Sequence, residues 1–305
     1  MMMMMRTVPK LELSAVSKSY DGVDAVVDLD FAVHQGEVFG LLGPNGAGKT
    51  TTIRMIMDII KPDAGQIAVL GAAPGLTRER VGYLPEERGL YRNLRVLDTL
   101  TYLAELKGFS SSLARERAAA LLDDVGLADW AGRRVKALSR GMQQKVQLIA
   151  SLVHDPGLLI LDEPFQGLDP INVELVKSLI RRLQAEGKTI VLSTHQMNMV
   201  EALCDRILLI NRGRAVLYGK LSEIKQQYAR GRIRVQTPAA LDDLPGVLES
   251  ERAGDTCSLT LEEGASPQTV LAAIVGRGLP ITQFAVADVP LEEIFIAVVE
   301  GKSHA

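Results

Sequence analysis

The chain has 305 residues, of which 47% are hydrophobic, 23% are charged and 4% are aromatic, and its formal net charge is -3. This balance is typical of a soluble globular protein that is long enough for two domains of unequal size. The few aromatic residues and the slightly acidic charge favour neither a stacking platform nor an electrostatic surface for nucleic acid, so we expect no nucleic-acid partner.

No apolar run approaches the roughly 18–20 residues that a membrane-spanning helix requires. The opening run of methionines has no apolar segment of the signal-peptide type. The sequence therefore predicts a cytoplasmic chain. Cys204 and Cys257 belong to no C-x-x-C pattern, which favours reduced thiols, although the sequence leaves a disulfide open.

The first sixty residues have the patterns of strands followed by a helix. Residues 11–17 and 26–33 alternate apolar and polar side chains, as half-buried strands do. Residues 37–42 are more uniformly apolar and lead directly into a glycine-rich loop, after which residues 51–60 have helical spacing. A buried strand, a glycine loop and a helix in this order are the context in which a phosphate-binding motif is meaningful.

The glycine-rich loop fits the pattern G-x-x-x-x-G-K-[ST] of a phosphate-binding loop. Its glycines let the backbone curl so that successive N–H groups point at phosphate oxygens, and the following helix adds its positive end. Lys49 is predicted to reach the β- and γ-phosphates, and the Thr50 hydroxyl to bind Mg²⁺. The candidate ATP-binding residues of this segment are Gly43, Pro44, Asn45, Gly46, Ala47, Gly48, Lys49, Thr50 and Thr51.

Residues of about 90–154 are helical in character. Apolar residues recur there at spacings of three and four, and a second segment rich in Ala, Leu, Arg and Glu covers about 112–125. Apolar strands then return at 158–161, 189–194 and 206–210, with helices between them. Alternation of strands and helices predicts an α/β sheet that is covered on both faces, so the helical stretch is an insertion into that domain.

The strand at 158–161 ends in two carboxylates, Asp162 and Glu163. Burial of its four aliphatic side chains fixes the strand, so that Asp162 can be held close to the metal bound by Thr50. Glu163 emerges next, where a carboxylate can orient and deprotonate an attacking water. With a phosphate loop upstream, this pair predicts a P-loop NTPase using ATP and Mg²⁺ rather than a strand that simply ends in solvent.

Beyond about residue 230, strand-like and helix-like segments follow one another again, over a shorter length of chain. This pattern predicts a small α+β domain over residues 229–305, after an ATP-binding domain over residues 10–228. Because the phosphate-binding groups all precede it, we expect a regulatory or dimer-supporting role, or one of covering an apolar face of the first domain. Its predicted core consists of Val235, Leu259, Leu261, Phe284, Val286, Ile294 and Phe295.

The run from Leu138 to Gln144 resembles the signature motif, usually L-S-G-G-Q, of the ABC (ATP-binding cassette) ATPase family. The resemblance to that family extends over roughly residues 10–225. It implies that Ser139 and Gly141, at a helix N-terminus, bind the γ-phosphate of ATP held by the opposite subunit. Arg140 and Met142 depart from the usual glycine and glutamine, and we expect both to be tolerated because other groups of the motif bind the phosphate.

Three further residues resemble family motifs. Asp169 lies in a Gly-Leu-Asp run that resembles the D-loop, which links the two ATP sites across the dimer. His195 ends a strand as the family's switch histidine does, which implies a contact with the γ-phosphate. Tyr20 resembles the aromatic residue that stacks on adenine, although an exposed tyrosine before a turn is also common.

The run GYLPEERGLY, which starts at Gly82, departs from the family at Glu86. Most members have a glutamine there that senses Mg²⁺ and the membrane partner. The run is similar to a branch of bacterial exporters linked to sodium extrusion and drug or antibiotic resistance, whose members often carry a C-terminal extension. The resemblance implies that Glu86 joins Thr50 and Asp162 in a metal site, and the alternative is that Glu86 swings into solvent.

These observations predict an α/β P-loop NTPase of the ABC type, with an inserted helical subdomain and a small α+β C-terminal domain. The resemblance implies a peripheral ATPase on the inner face of the cell membrane that forms a homodimer or heterodimer and drives a separate multi-span permease. Glu163, His195 and Lys49 are its candidate catalytic residues.

Two other functions are weighed against transport. An ABC ATPase acting on ribosomes or DNA is disfavoured, because the chain has one cassette and a short helical insertion. A binding-only regulator is disfavoured by the presence of Glu163. The permease selects the substrate, so this sequence does not indicate which substrate is transported.

Overall fold

The structure, a computed structural model, describes residues 8–87, 89–229, 231–262, 264–286 and 289–299. The chain forms two compact units, of which the first ends at Gly219 and the second begins at Lys220. Among the described residues, no helix is long and apolar enough to cross a membrane.

The first unit combines strands and helices in alternation. Its strands are β1 (Leu11–Tyr20), β2 (Val23–Val33), β3 (Val38–Leu42), β4 (Ala64–Val69), β5 (Val81–Leu84), β6 (Leu158–Asp162), β7 (Thr189–Thr194), β8 (Arg206–Asn211) and β9 (Arg214–Lys220). Its helices are α1 (Lys49–Ile56), α2 (Val96–Glu105), α3 (Ser111–Asp124), α4 (Arg140–Leu152), α5 (Pro170–Ala185) and α6 (Met197–Leu203).

Two sheets form this unit. The larger has the strand order β5-β6-β7-β3-β8-β9, and its strands from β5 to β8 are parallel. The smaller is an antiparallel sheet of order β2-β1-β4. Because the carboxyl ends of parallel strands lie at one edge, the segments that follow β3, β5, β6 and β7 meet there, which is where α/β folds bind ligands.

Two hydrophobic clusters stabilise the unit. One lies between the two sheets and α1, where the rings of Phe31 and Phe39 stack with centroids 5.3 Å apart. The other belongs to α2, α3 and α4, where Leu100, Leu122 and Ile149 are fully buried. The helical insertion therefore has a core of its own, as its periodicity predicts, and the α/β fold is confirmed.

Two details of the sequence prediction are wrong. The helix after the glycine loop ends at Ile56 rather than at residue 60, because Asp58 takes a left-handed backbone with φ 54° that a helix cannot continue. The apolar residues that recur at spacings of three and four predict that the first inserted helix reaches Leu106, but this residue lies beyond the helix end at Glu105 and is 58% exposed.

The second unit is a small α+β domain, as predicted. Its sheet has the antiparallel order β11-β12-β10-β13. Its elements are α7 (Leu221–Tyr228), β10 (Arg232–Gln236), β11 (Val247–Ala253), β12 (Thr256–Leu261), α8 (Pro267–Gly276), β13 (Gln283–Val286) and α9 (Leu291–Val299). Since α7 packs against α9, residues 221–228 belong to this second unit rather than to the first.

The core of the second unit is close to the expected one. Val235, Leu259, Leu261 and Ile294 are buried, and Phe284 packs against the same cluster. Val286 was expected there but is 58% exposed, because it is the last residue of an edge strand and has a neighbouring strand on one side only.

Candidate functional site

The glycine loop connects β3 to α1, and two of its glycines are required by packing. A Cβ atom on Gly43 would lie 2.2 Å from the carbonyl oxygen of Ile210, and one on Gly48 would lie 2.5 Å from that of Ala25. Gly46 differs, because its backbone has φ 77° but nothing lies within 4 Å of a Cβ built there. The open side of the loop, at Gly46, is therefore the side on which a ligand can approach the backbone.

The last residues of the loop form the start of α1, so backbone amide groups lie there. Gly48 is the N-cap of this helix, and no side chain caps it, so the first-turn N–H groups of α1 are available to an anion. Within the loop, Asn45 is exposed, Pro44 is half-buried and Ala47 is buried. Thr50 and Thr51, in the first turn, are half-buried.

Lys49 folds back over the loop. Its Nζ atom donates to the carbonyl oxygens of Gly43 and Pro44 at 2.7 and 3.2 Å. Burial lowers the pKa of Lys49, whereas the nearby carboxylates of Glu163, Asp162 and Glu86 raise it. The structure therefore brings the predicted lysine and the three predicted carboxylates into one electrostatic cluster.

Asp162 is the last residue of β6 and is only 2% exposed. Burial is the main cause that raises its pKa to about 6, the charges of Glu86 and Glu163 add to the rise, and Ser193 and Lys49 oppose it. Its Oδ2 atom is buried and accepts no hydrogen bond from the described residues. A buried carboxylate oxygen without a donor is costly unless a cation or water satisfies it.

Glu163 occupies a constrained turn directly after β6. Its backbone has φ 49°, a left-handed conformation that is rare for residues other than glycine, and its N–H donates to the carbonyl oxygen of Ser193 at 2.9 Å. Strained backbones of this kind cluster at functional sites. The turn holds the Glu163 side chain at the carboxyl edge of the sheet, where it is 5% exposed.

Three donors from the end of β7 hold the Glu163 carboxylate. The hydroxyl of Thr194 donates to Oε2 at 3.0 Å, and the backbone N–H of His195 donates to Oε1 at 3.0 Å. Nδ1 of His195 lies 2.7 Å from Oε1, and because a carboxylate only accepts, Nδ1 is the donor. Because Nδ1 binds Glu163, Nε2 is the nitrogen of the half-exposed ring that remains to contact a ligand.

Glu86 follows β5, the neighbour of β6, and its side chain is exposed. Its charge contributes to the pKa of both Lys49 and Asp162, so it lies near the cluster. Within the described residues, no group of three acidic, cysteine or histidine side chains forms a metal site by itself. The oxygens of Thr50, Asp162 and Glu86 nevertheless fit Mg²⁺, which takes one or two carboxylates and completes its shell with phosphate and water.

The predicted signature segment lies at the start of α4. Ser139 is its N-cap and accepts from the N–H of Met142 at 3.3 Å, while Arg140 is the first helical residue and is exposed. A Cβ built on Gly141 would lie 3.7 Å from the side chain of Leu168. The signature segment and the predicted D-loop are therefore neighbours in one subunit.

Asp169 caps α5 by accepting from the N–H and the side-chain amide of Asn172, at 3.0 and 2.6 Å. These hydrogen bonds lower the pKa of Asp169. The hydrogen bonds of Ser139 and Asp169 described above stay within the first turns of α4 and α5. Neither residue contacts the cluster of charged side chains around Lys49. Tyr20 is 43% exposed at the end of β1, with the Lys18 ammonium 5.6 Å from its ring centroid.

Sequence reasoning missed three polar side chains around the site. Thr194 binds Glu163, as described above. Gln144 and Gln147, on α4, are buried and donate to carbonyl groups of the segments after β6 and β5. The available signal was two amides three residues apart within an otherwise buried helix, since buried amides need partners.

Comparison with known families gives two matches. Residues 26–166 match the family described as ABC transporter. Residues 219–299 match the family described as the C-terminal domain of DrrA1-3-like ATP-binding proteins.

Curated relatives match over most of their length. The ABC transporter ATP-binding protein YhaQ of Bacillus subtilis is 38% identical over 94% of this chain and 97% of its own. The daunorubicin/doxorubicin resistance ATP-binding protein DrrA of Streptomyces peucetius is 34% identical over 94% and 91%. The Nod factor export ATP-binding protein I of Cupriavidus pinatubonensis is 36% identical over 88% and 84%.

Solved structures match about seven tenths of this chain. The ATP-binding subunit of an ABC transporter superposes with a TM-score of 0.67 at 33% identity, covering 72% of this chain and 92% of that chain. A dimeric ATP-binding cassette in a post-hydrolysis state, bound to ADP and Pi, gives a TM-score of 0.65 at 25% identity, covering 69% and 98%. The similarity therefore extends from the sequence to the arrangement of the sheet and its helices.

Proposed function

Since the chain belongs to the ATP-binding subunits of ABC transporters, which bind and hydrolyse ATP, we propose that it drives export through a separate multi-span permease. The relatives named for drug resistance and Nod factor export support the direction of transport. The proposal includes a dimer of ATPase subunits at the inner face of the membrane and a requirement for Mg²⁺. The dimeric cassette among the similar structures supports the first of these.

The observation that carries the proposal is the position of Glu163 at the edge of the sheet, beside the glycine loop and Lys49. The first-turn amides of α1 and the Lys49 ammonium bind the phosphates. Thr50, Asp162 and Glu86 would hold Mg²⁺, which would neutralise charge on the phosphate oxygens. Thr194 and His195 fix the Glu163 carboxylate, whose remaining lone pairs accept the proton of the attacking water.

Residues outside the glycine loop and the carboxylate cluster complete the site. When the His195 ring carries a proton on both nitrogens, Nε2 donates to the γ-phosphate, and Ser139 with the Gly141 amide donates to the γ-phosphate bound by the opposite subunit. Tyr20 stacks on the adenine, and Asp169 connects the two sites across the dimer. His195, Ser139 and the Gly141 amide bind charge that grows or moves during the transfer, and such electrostatic stabilisation is the main source of catalysis in phosphoryl transfer.

The test measures ATP hydrolysis and nucleotide binding separately. Glu163→Gln keeps every phosphate contact and loses the base, so turnover falls by about 10²–10⁴ while ATP binding persists and a dimer accumulates on gel filtration with MgATP. Lys49→Ala weakens ATP binding itself. Glu174→Gln, an exposed carboxylate on α5, is the matched control and leaves both unchanged. Unchanged turnover in Glu163→Gln would contradict the assignment.

Transport is tested with any multi-span membrane protein whose gene neighbours that of this chain. We expect a multi-span permease to co-purify with the ATPase and, in vesicles, to raise its ATP hydrolysis. A chain that hydrolyses ATP but co-purifies with ribosomes or DNA instead would overturn the transport proposal while leaving the ATPase assignment intact.

A further inference from the structure

Two glutamines lie on one face of α4, the helix that begins after Ser139. Gln144 and Gln147 are three residues apart, which places their side chains on the same side of a helix. They are 5% and 4% exposed. A buried amide is costly unless it forms hydrogen bonds, so the partners of these two side chains are informative.

Both amides bind backbone carbonyls of segments that carry candidate site residues. Nε2 of Gln144 donates to the carbonyl oxygen of Pro164, the residue after Glu163, at 3.3 Å. Nε2 of Gln147 donates to the carbonyl oxygen of Glu87 at 2.9 Å and to that of Pro85 at 3.4 Å. The two carbonyls bound by Gln147 stand on either side of Glu86.

We propose that Gln147 is a positioning residue that holds the segment carrying Glu86 at the metal-binding edge of the sheet. An amide nitrogen has two hydrogens, so one side chain can bind the carbonyl of the residue before Glu86 and that of the residue after it. The segment from Pro85 to Glu87 lies outside β5 and has no ladder of its own to fix it. The Glu86 side chain stays exposed while its backbone is tied to α4.

This inference rests on the proposed function, in which Glu86 helps to hold Mg²⁺. It adds a link within one subunit between the helix that starts at the signature segment and the loop of the metal site. Groups that orient metal ligands typically contribute about 10- to 100-fold to metal affinity. Because Glu86 is exposed and is one ligand of several, we expect an effect near the lower end of that range.

The test replaces the amide by a side chain of similar length that has no donor. In Gln147→Met, the Mg²⁺ concentration for half-maximal ATP hydrolysis rises by about five- to tenfold. A second readout does not depend on turnover. Binding of Mn²⁺ in the presence of ADP, followed by electron paramagnetic resonance of the free ion, weakens by a similar factor, while binding of ADP without metal is unchanged because the glycine loop and Lys49 are intact.

The matched control is Gln184→Met on α5, whose amide donates to the Asp205 carboxylate at 2.7 Å, away from the site. It leaves the Mn²⁺ affinity unchanged. A double-mutant cycle with Glu86→Ala separates positioning from general damage, because Gln147 has nothing to position once the carboxylate is absent. We expect Gln147→Met to shift Mn²⁺ affinity in the native background and to have no further effect in Glu86→Ala.

The inference is overturned if Gln147→Met is folded and its Mn²⁺ affinity stays within twofold of the native protein, or if its effect is equally large in Glu86→Ala. Should Gln147→Met not fold, Gln147→Asn, which keeps the amide but is one methylene too short, must give the same shift. Failure of the proposed function is a separate result, because the native protein would then show no Mg²⁺-dependent ATP hydrolysis at all.

Discussion

Nδ1 of His195 donates to Oε1 of Glu163 across 2.7 Å, and the backbone N–H of the same histidine donates to the same oxygen. One residue at the end of β7 therefore orients the carboxylate at the end of β6. The two strands are paired in the sheet, with Asp162 opposite Ser193, so the register of the sheet itself sets this contact.

The first prediction follows from the free Nε2 of His195. If it binds the γ-phosphate, His195→Ala lowers turnover by about 10²–10³, the usual effect of removing one donor to the transition state. ADP has no γ-phosphate, so we expect its affinity to stay the same while the preference for ATP over ADP decreases. Fluorescent-nucleotide titrations measure both affinities, and an equal loss for ATP and ADP would argue against this contact.

The second prediction concerns the opposite subunit. A heterodimer of a Lys49→Ala subunit with a Ser139→Arg subunit has one intact composite site and one doubly damaged site. We expect mixing to restore ATP hydrolysis above either parent, because Lys49 and Ser139 act on one ATP from different chains. Crosslinking of the mixed dimer is the control. A crosslinked heterodimer without activity would mean that one intact site is insufficient.

The third prediction concerns Glu86. Glu86, Asp162 and Glu163 place three negative charges close together. A bound divalent cation reduces the repulsion between them. ATP hydrolysis by the native protein therefore depends more strongly on Mg²⁺ than ATP hydrolysis by Glu86→Gln, in which the amide carbonyl oxygen can still act as a ligand. Parallel Mg²⁺ titrations of ATP hydrolysis measure the difference, and identical curves would place the Glu86 side chain in solvent.

The fourth prediction concerns stability against pH. Burial lowers the pKa of His154 to about 4, and Nε2 of the ring lies 3.1 Å from the carbonyl oxygen of Val81. The unfolded chain takes up this proton near pH 6.5 and the folded chain only near pH 4. Stability is therefore complete above pH 6.5 and falls toward pH 4, by at most about 1.4 kcal/mol per pH unit for this one group.

Thermal melting between pH 4 and pH 7.5 checks the histidine. His154→Gln keeps a donor for the Val81 carbonyl and removes the titration, so its melting temperature decreases less steeply below pH 6.5. An unchanged slope in the variant would assign the pH dependence to other groups.

The fifth prediction concerns the second unit. The chain cut after Gly219 keeps the glycine loop and every candidate catalytic residue, and it removes α7 together with the α9 helix it packs against. We expect a soluble protein that binds ATP, with altered dimerisation or altered stimulation by the permease. Aggregation, or melting far below the full chain with MgATP present, would show instead that the second unit covers the core of the first.

The sequence predicted the parts of the fold that pack against a core. The strand before the glycine loop is uniformly apolar because all of its residues are buried, and the helices of the insertion carry a regular apolar period because one face of each is buried. β4 and β11 were missed for the opposite reason. β11 is almost entirely exposed and carries Glu and Arg along its length, so its hydrogen bonds leave no pattern in the sequence.

The candidate site was predictable where a short segment carries several groups at once. Lys49 and Thr50 share one loop, and Asp162 and Glu163 share one strand end. Contacts between distant segments were not predictable. The amide of Gln147 meets Glu87 only because α4 passes beside the end of β5, and no local spacing encodes that approach.

Substitutions in the glycine loop are harmful for two different reasons, one of folding and one of ligand binding. Gly43 is fixed by the neighbouring backbone of β8, so in a saturation library sorted only for abundance of folded protein, substitutions there are depleted. Gly46 faces open space, and its substitutions carry only the cost of a left-handed backbone, about 1–2 kcal/mol. They survive that sorting and disappear only when the library is selected for growth that depends on the transporter. Positions that are depleted only in the growth selection would therefore identify the part of the loop that approaches the bound phosphates.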